Sequence, residues 1–461
     1  MPVLAAYAVP HPPLLLPEIG RGEERKIAAT AEAYREVAKR ASACKPDVVL
    51  IVSPHATLYA DYFHISPGIG AQGDFSAFQA PQVQLRADYD QELAHRIEVL
   101  AHRWRLPAGT MGERDKRLDH GTMLPLRFLQ EAGLTCPIVR IGLSGLSVLT
   151  HYRLGQCISE AVDNLSRRAV LIASGDLSHK LTEDGPYGFA PEGPLFDKAV
   201  TQALSTGDFL AMLSLAPEMS QSAAECGWRS LQIMAGALDR KSLKPELLSY
   251  EGPFGVGYAV AAFPVTGPNP ERDIGEQFDK ARRAELERRH REEDPYVRLA
   301  RLSLETFVRT GKRVTPPEDL PPELRHTRAG VFVSLHKDGL LRGCIGTILP
   351  AAASLAEEIL HNALSAGSND PRFEPVREEE LPDLIYSVDV LGPTEKIASE
   401  AELNPSRYGV VVQNGSRRGL LLPNLDGVHT AEQQVAIARR KAGIEPGERV
   451  RLSRFEVVRH F

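Results

Sequence analysis

Cysteine is scarce and never closely paired: Cys44, Cys136, Cys157, Cys226 and Cys344 are the five in 461 residues, and none forms a CxxC. An odd, scattered set in a long chain argues against a disulfide framework and for a reducing compartment, so a cytoplasmic location is expected. No apolar run approaches the roughly 20 residues that a spanning helix needs. The first residues carry no basic segment before Pro10, Pro12 and Pro13, which does not fit a signal peptide or membrane anchor. Positive charge is not in excess either. A formal charge of −6 gives no electrostatic basis for holding nucleic acid or an anionic membrane, so small or neutral partners are expected.

What the chain does have is the composition of a soluble globular protein, 43% hydrophobic and 25% charged, at a length too great for one ordinary core. Apolar, β-branched runs recur at 3–9 (VLAAYAV), 48–53 (VVLIVS), 138–143, 169–174 (AVLIAS) and 256–263. They lack polar alternation, which suits strands covered on both faces. Helical spacing appears between them at 23–43, 89–104 and 225–238. The alternation predicts an α/β domain over 1–264, a mostly parallel sheet with helices on both faces.

Pro264, Gly267, Pro268 and Pro270 then break the pattern, and 271–294 carries nine acidic and seven basic residues. A charged linker, 265–294, is expected here, ending in a solvated helix. Residues 295–461 have a different rhythm, with helices at 295–309, 354–366 and 430–442 and strands at 330–336, 340–345, 384–391, 408–413, 418–422 and 451–458. Asp338-Gly339 and Asn414-Gly415 mark hairpin turns. That mixture predicts a separate α+β domain.

Function is most legible in the first domain's histidines. His11 and His55 each follow an apolar strand, and His179 follows a later one. In an open α/β sheet the loops beyond the strand carboxyl ends share one edge, so residues distant in sequence meet there. Two imidazoles and a carboxylate bind Fe(II) on one face and leave positions for substrate and dioxygen. Glu225, in AAECGWRSLQIM, is the carboxylate of choice. His120 in RLDHGTM and His179 in SGDLSHK suit proton transfer, since imidazole titrates near neutrality. Asp119 and Asp176 are candidates to orient those rings.

The segments PHPP with His11, SPH with His55, DHG with His120, SGDLSH with His179, and AECG together resemble the LigB-type class III extradiol ring-cleavage dioxygenases and the related Memo-like proteins. The resemblance implies non-haem Fe(II) held by His11, His55 and Glu225, with His179 as catalytic base, His120 as a second acid–base or orienting residue, and a catechol-like substrate cleaved with dioxygen. Memo-like relatives place a cysteine where the dioxygenases have glutamate, so Cys226 is the alternative ligand. Adjacent helical residues point about 100° apart, so only one of the two is expected to reach the metal. Glutamate favours Fe(II), whereas a thiolate favours zinc or copper.

In the second domain LRGCIGT at 341–347, NDPRFEPV at 369–376 and YGVVVQNGSRRGLLLPN at 408–424 resemble the AMMECR domain. The order of the two modules resembles that of the AmmeMemoRadiSam system protein A family, which implies a radical S-adenosylmethionine protein as partner. Arg342 beside Cys344 is a candidate to activate that thiol, and Arg372, Arg417 and Arg418 are candidate carboxylate or phosphate binders.

Overall fold

A computed structural model describes residues 2–113, 115–425, 428 and 430–461. The chain divides into two compact units, residues 1–282 and 283–461. Among the described residues no helix is long and apolar enough to cross a membrane, and all five cysteines are free.

The first unit is built on one sheet whose strands run in the order Glu246–Glu251, Tyr258–Pro268, Val3–Val9, Ala169–Ser174, Val48–Ser53, Ile138–Gly142. The last four are mutually parallel, and the first two are antiparallel additions at one edge. Side chains on a strand alternate between faces, and here both faces are apolar. Val3, Ala6 and Ala8 enter one core with the helices Val148–Asn164 and Trp228–Ala237. Ala5, Tyr7 and Val9 enter the other with Ala28–Ala43 and His120–Glu131. This is the expected mostly parallel α/β sheet covered on both sides.

Two elements differ from the sequence pattern. The strand read as ending at 263 continues through Pro264 to Pro268, because Lys241–Leu243 pairs with its far half and Pro264 stays in register opposite Ala5. The helix read as 225–238 starts only at Trp228, because Ala224 turns left-handed (φ 52°) and residues 225–227 stay outside the helix. Beyond the sheet, Ile274–Glu292 forms a charged helix with internal ion pairs such as Glu285 with Arg288.

The second unit is α+β, as expected. One antiparallel sheet joins Leu340–Gly346, Val331–Lys337, Leu384–Leu391 and Val457–His460, and the other joins Glu395–Ile397, Arg451–Phe455, Gly409–Asn414 and Arg417–Leu421. The hairpin at Asp338-Gly339 has both residues at positive φ, the backbone that two-residue turns demand.

One contact positions the functional edge of the first unit. Gly175, just past the strand Ala169–Ser174, lies against Gly227, so closely that a Cβ on Gly175 would fall 2.1 Å from the Gly227 Cα. Backbone touches backbone there, and only glycine permits it. Replacing Gly175 with alanine is therefore expected to cost about 1–3 kcal/mol, read as a lower urea midpoint. An unchanged midpoint would show that the two loops have room to part.

Candidate metal centre

The parallel register sets the carboxyl ends of three strands level: Val9 pairs with Ser174, and Val52 with Ala173. His11 and His55 follow two of these strands within two residues, and Asp176 and His179 follow the third. Cys226 arrives from the other side of the Gly175–Gly227 contact, held by Cys226 N and Gly227 N donating to the Asp176 carbonyl at 3.3 and 2.9 Å.

The imidazole Nε2 atoms of His11 and His55 stand 3.0 Å apart, and the Cys226 Sγ lies 3.5 Å from His11 Nε2. His11 is buried at 2% exposure, whereas His55 faces solvent. The orientation of His11 is fixed from behind. Ser174 Oγ donates to the Gly121 carbonyl at 2.7 Å, so it has no proton left for the ring and must accept from His11 Nδ1–H at 3.0 Å. That leaves Nε2 as a lone pair turned into the cluster, the tautomer a metal ligand needs. Two nitrogens bound at right angles about 2.1 Å from one ion would stand about 3.0 Å apart, so the observed spacing fits a shared cation. The donor atoms of His11, His55 and Cys226 lie within 4.8 Å of one another, as do those of Asp176, His179 and Cys226.

Glu225, expected as the third ligand, is not in either group among the described residues. Its carboxylate is committed elsewhere, accepting from Ser220 Oγ at 2.7 Å and from Trp228 N at 2.6 Å, where it caps the helix Trp228–Ala237. The geometry brings Cys226, the alternative, to the place assigned to Glu225. The physical reason is the late helix start: outside the helix, the two neighbours turn to opposite tasks.

His120 and His179 flank the cluster. The His120 ring lies 4.1 Å from that of His55 and 5.1 Å from that of Phe78, centroid to centroid. His179 Nε2 is 3.8 Å from the Cys226 Sγ, and its ring stacks on Tyr187. Asp119 does not orient His120. It accepts from Ser53 Oγ at 2.5 Å and caps the helix His120–Glu131 through Thr122 N. Asp176 accepts from His11 N at 2.8 Å, with its other oxygen 3.9 Å from His11 Nε2. A cleft of about 380 Å³ opens beside the cluster, lined by His55, His120, Phe78, Asp74, Arg117 and Met123. Its wall includes Asp74 of the strand Gly70–Phe75 and the turn at 76–78 that follows it, which no histidine signal revealed. Phe78, Tyr187 and Ser174 were likewise invisible as site residues, since their roles depend on tertiary contact alone.

Burial lowers the pKa of His11 and His179 below the usual imidazole range, and desolvation on the side of the His55 ring that meets the cluster lowers that of His55 although its residue faces solvent. Burial together with His11 and His55 pushes His120 down to about 3. Burial raises Asp176 to about 6 and, with Asp176 and Glu225, pushes the Cys226 thiol up. Each shift favours the neutral form; a bound cation would reverse that preference for Asp176 and Cys226 and reinforce it for the imidazoles.

In the second unit Arg342, the candidate to activate the Cys344 thiol, is engaged by a carboxylate. It is paired with Glu380, Nε and Nη2 at 2.9 and 3.0 Å. Arg417 is paired with Glu448, and Arg372 with Asp370.

A histidine whose folded pKa is depressed binds its proton more readily in the unfolded chain, so stability is lost as pH falls below 6.5 toward the folded value. For the metal-free protein, the urea midpoint is expected to drop between pH 7 and 4.5, and less steeply after His120→Gln, by up to one proton. Identical pH profiles for the two proteins would contradict the burial of a neutral His120.

Comparison with known proteins agrees with this architecture. Residues 5–261 match the family model described as the catalytic LigB subunit of aromatic ring-opening dioxygenase, and residues 297–460 match AMMECR1. Protein CA_C1420 of Clostridium acetobutylicum is 42% identical over 98% of each chain. A protein of Thermotoga maritima is 51% identical over 36% of this chain and 98% of its own length. A crystal structure from Pyrococcus horikoshii, of protein PH0010, is 35% identical, covers 36% of this chain and 88% of its own, and superposes with a TM-score of 0.34. The chain thus belongs to the family of the catalytic LigB subunit of aromatic ring-opening dioxygenases, with an AMMECR1 domain fused behind it.

Proposed function

We propose that the first domain is a metal-dependent, dioxygenase-like oxidoreductase acting on a catechol-like or other chelating small molecule with dioxygen, and that His11, His55 and Cys226 hold its metal. The observation that carries the reading is the convergence of two Nε2 atoms and one Sγ on a single point at the carboxyl edge of the sheet. A ferrous ion bound there would supply an electrophilic centre that orients two reactants and passes electron density between them.

The remaining work falls to the protein. The cleft beside His55 offers Phe78 and His120 as flat walls for an aromatic ring. His120, neutral at physiological pH, is placed to hydrogen-bond a substrate oxygen rather than to supply a proton. His179, also held neutral and stacked on Tyr187, is the group free to accept a proton from an arriving hydroxyl. Ser174 and Asp176 keep His11 fixed while this happens, so little ordering is needed when substrate binds.

Cys226 also favours a second reading. A thiolate prefers softer ions, so zinc or copper would suit the same pocket, and the domain would then be a metal-holding module serving a modification system with a radical S-adenosylmethionine protein as partner.

Metal analysis of anaerobically prepared protein separates the roles. Cys226→Ser is expected to weaken metal retention by at least about 100-fold, while Glu225→Gln keeps the metal and loses about 1 kcal/mol of stability through its weakened helix cap. Retention after Cys226→Ser with loss after Glu225→Gln would reverse the ligand assignment. Oxygen uptake by the ferrous protein with a panel of diols is expected under the first reading, and none under the second.

A further inference from the structure

The first unit has a second cavity at the end of its strands opposite the metal centre. It measures about 700 Å³ and lies beside Pro2, where the strand Val3–Val9 begins. One wall is the helix Val148–Asn164. The other is the two-stranded extension of the sheet, where Tyr258–Pro268 runs on past Pro264 and pairs with Lys241–Leu243. A concave, partly polar space of this size is within the range that holds a small organic molecule.

Lys241 is the reactive group of that space. Its Nζ donates to Ser159 Oγ at 2.9 Å, and among the described residues it has no other hydrogen bond and no carboxylate within salt-bridge distance. An ammonium has three protons to place, so two are left for an incoming group. Burial holds the amine's pKa below the usual lysine range, against the opposing pull of Asp163 and Asp239. A desolvated lysine in a pocket is a nucleophile for carbonyl carbon. The neighbouring cation is not available for that work, because Arg240 is paired with Asp273.

The remaining walls set the ligand's character. Asp239 is occupied by Ile274 N and Gln156 Nε2, at 3.0 and 2.8 Å. Glu160 and Asp163 also line the cavity, and neither side chain has a hydrogen-bond or ion-pair partner among the described residues. Their uncompensated charge disfavours an anionic ligand. Trp104, 37% exposed, adds a flat apolar surface.

We infer that Lys241 is the nucleophile of a second site in the first domain, which takes a small uncharged aromatic aldehyde and holds it on Nζ as an iminium, with the ring against Trp104. Asp163 takes one proton from the ammonium. Nζ then attacks the carbonyl carbon, and a second proton passes from nitrogen to the carbonyl oxygen. Asp163 returns its proton to that hydroxyl, water leaves, and the nitrogen lone pair closes the C=N bond.

The full-length protein is treated with benzaldehyde, acetaldehyde or 4-carboxybenzaldehyde, each adduct is fixed with cyanoborohydride, and labelling is located by peptide mass spectrometry. Lys244, exposed and three positions further on, is the internal reference. The ratio of Lys241 to Lys244 labelling is expected to be about fivefold higher with benzaldehyde than with acetaldehyde, the gain from placing a ring against an indole. Trp104→Ala should remove that difference, and 4-carboxybenzaldehyde should give a lower ratio than benzaldehyde. Equal ratios for benzaldehyde and acetaldehyde in the parent protein overturn the proposal, as does a Lys241 that reacts with neither. So does a difference that survives Trp104→Ala in a variant with the parent's unfolding midpoint, or a ratio for the carboxylated aldehyde as high as that for benzaldehyde.

Discussion

The close approach of Gly175 to Gly227 is the constraint on which the first domain's chemistry depends. The parallel sheet alone brings His11, His55, Asp176 and His179 to one edge, since its strands end level. It does not bring a sulfur. Cys226 reaches the imidazoles because a loop from a different part of the chain is pressed, backbone to backbone, against the turn after Ala169–Ser174 and tied to the Asp176 carbonyl. Beside that contact the left-handed turn at Ala224 keeps the following helix from starting before Trp228, which leaves Glu225 to cap it and Cys226 to face the cluster.

Much of this was legible in the residues. Runs such as VVLIVS and AVLIAS are apolar at every position, and a strand buried on both faces requires that. The placement of His11 and His55 after such runs was enough to predict their meeting. Which of Glu225 and Cys226 lies beside the imidazoles was not legible, because helical periodicity ran back through 225 while the left-handed turn at Ala224 ended it. A carboxylate beside a helix start has two uses, ligand and cap, and only the backbone direction decides between them. The tautomer of His11 was equally hidden, since it rests on Ser174 having spent its proton on Gly121.

In the second domain the hairpin turns and strands followed their turn residues closely, yet one segment read as a single strand serves two sheets. Arg451–Phe455 pairs in one and Val457–His460 in the other, with the change at Glu456. Arg459 reaches Asp389 only because of that switch. Arg342, two positions before Cys344, turns instead to Glu380, and the guanidinium that binds the Cys344 backbone carbonyl is that of Arg372, 28 positions further along the chain.

The central claim is that one metal ion is held by two imidazoles and a thiolate. X-ray absorption spectroscopy of the metal-loaded full-length protein tests it directly. The account predicts a shell with one sulfur near about 2.3 Å and nitrogens near about 2.0–2.1 Å. A shell of nitrogen and oxygen with no sulfur scatterer would contradict it.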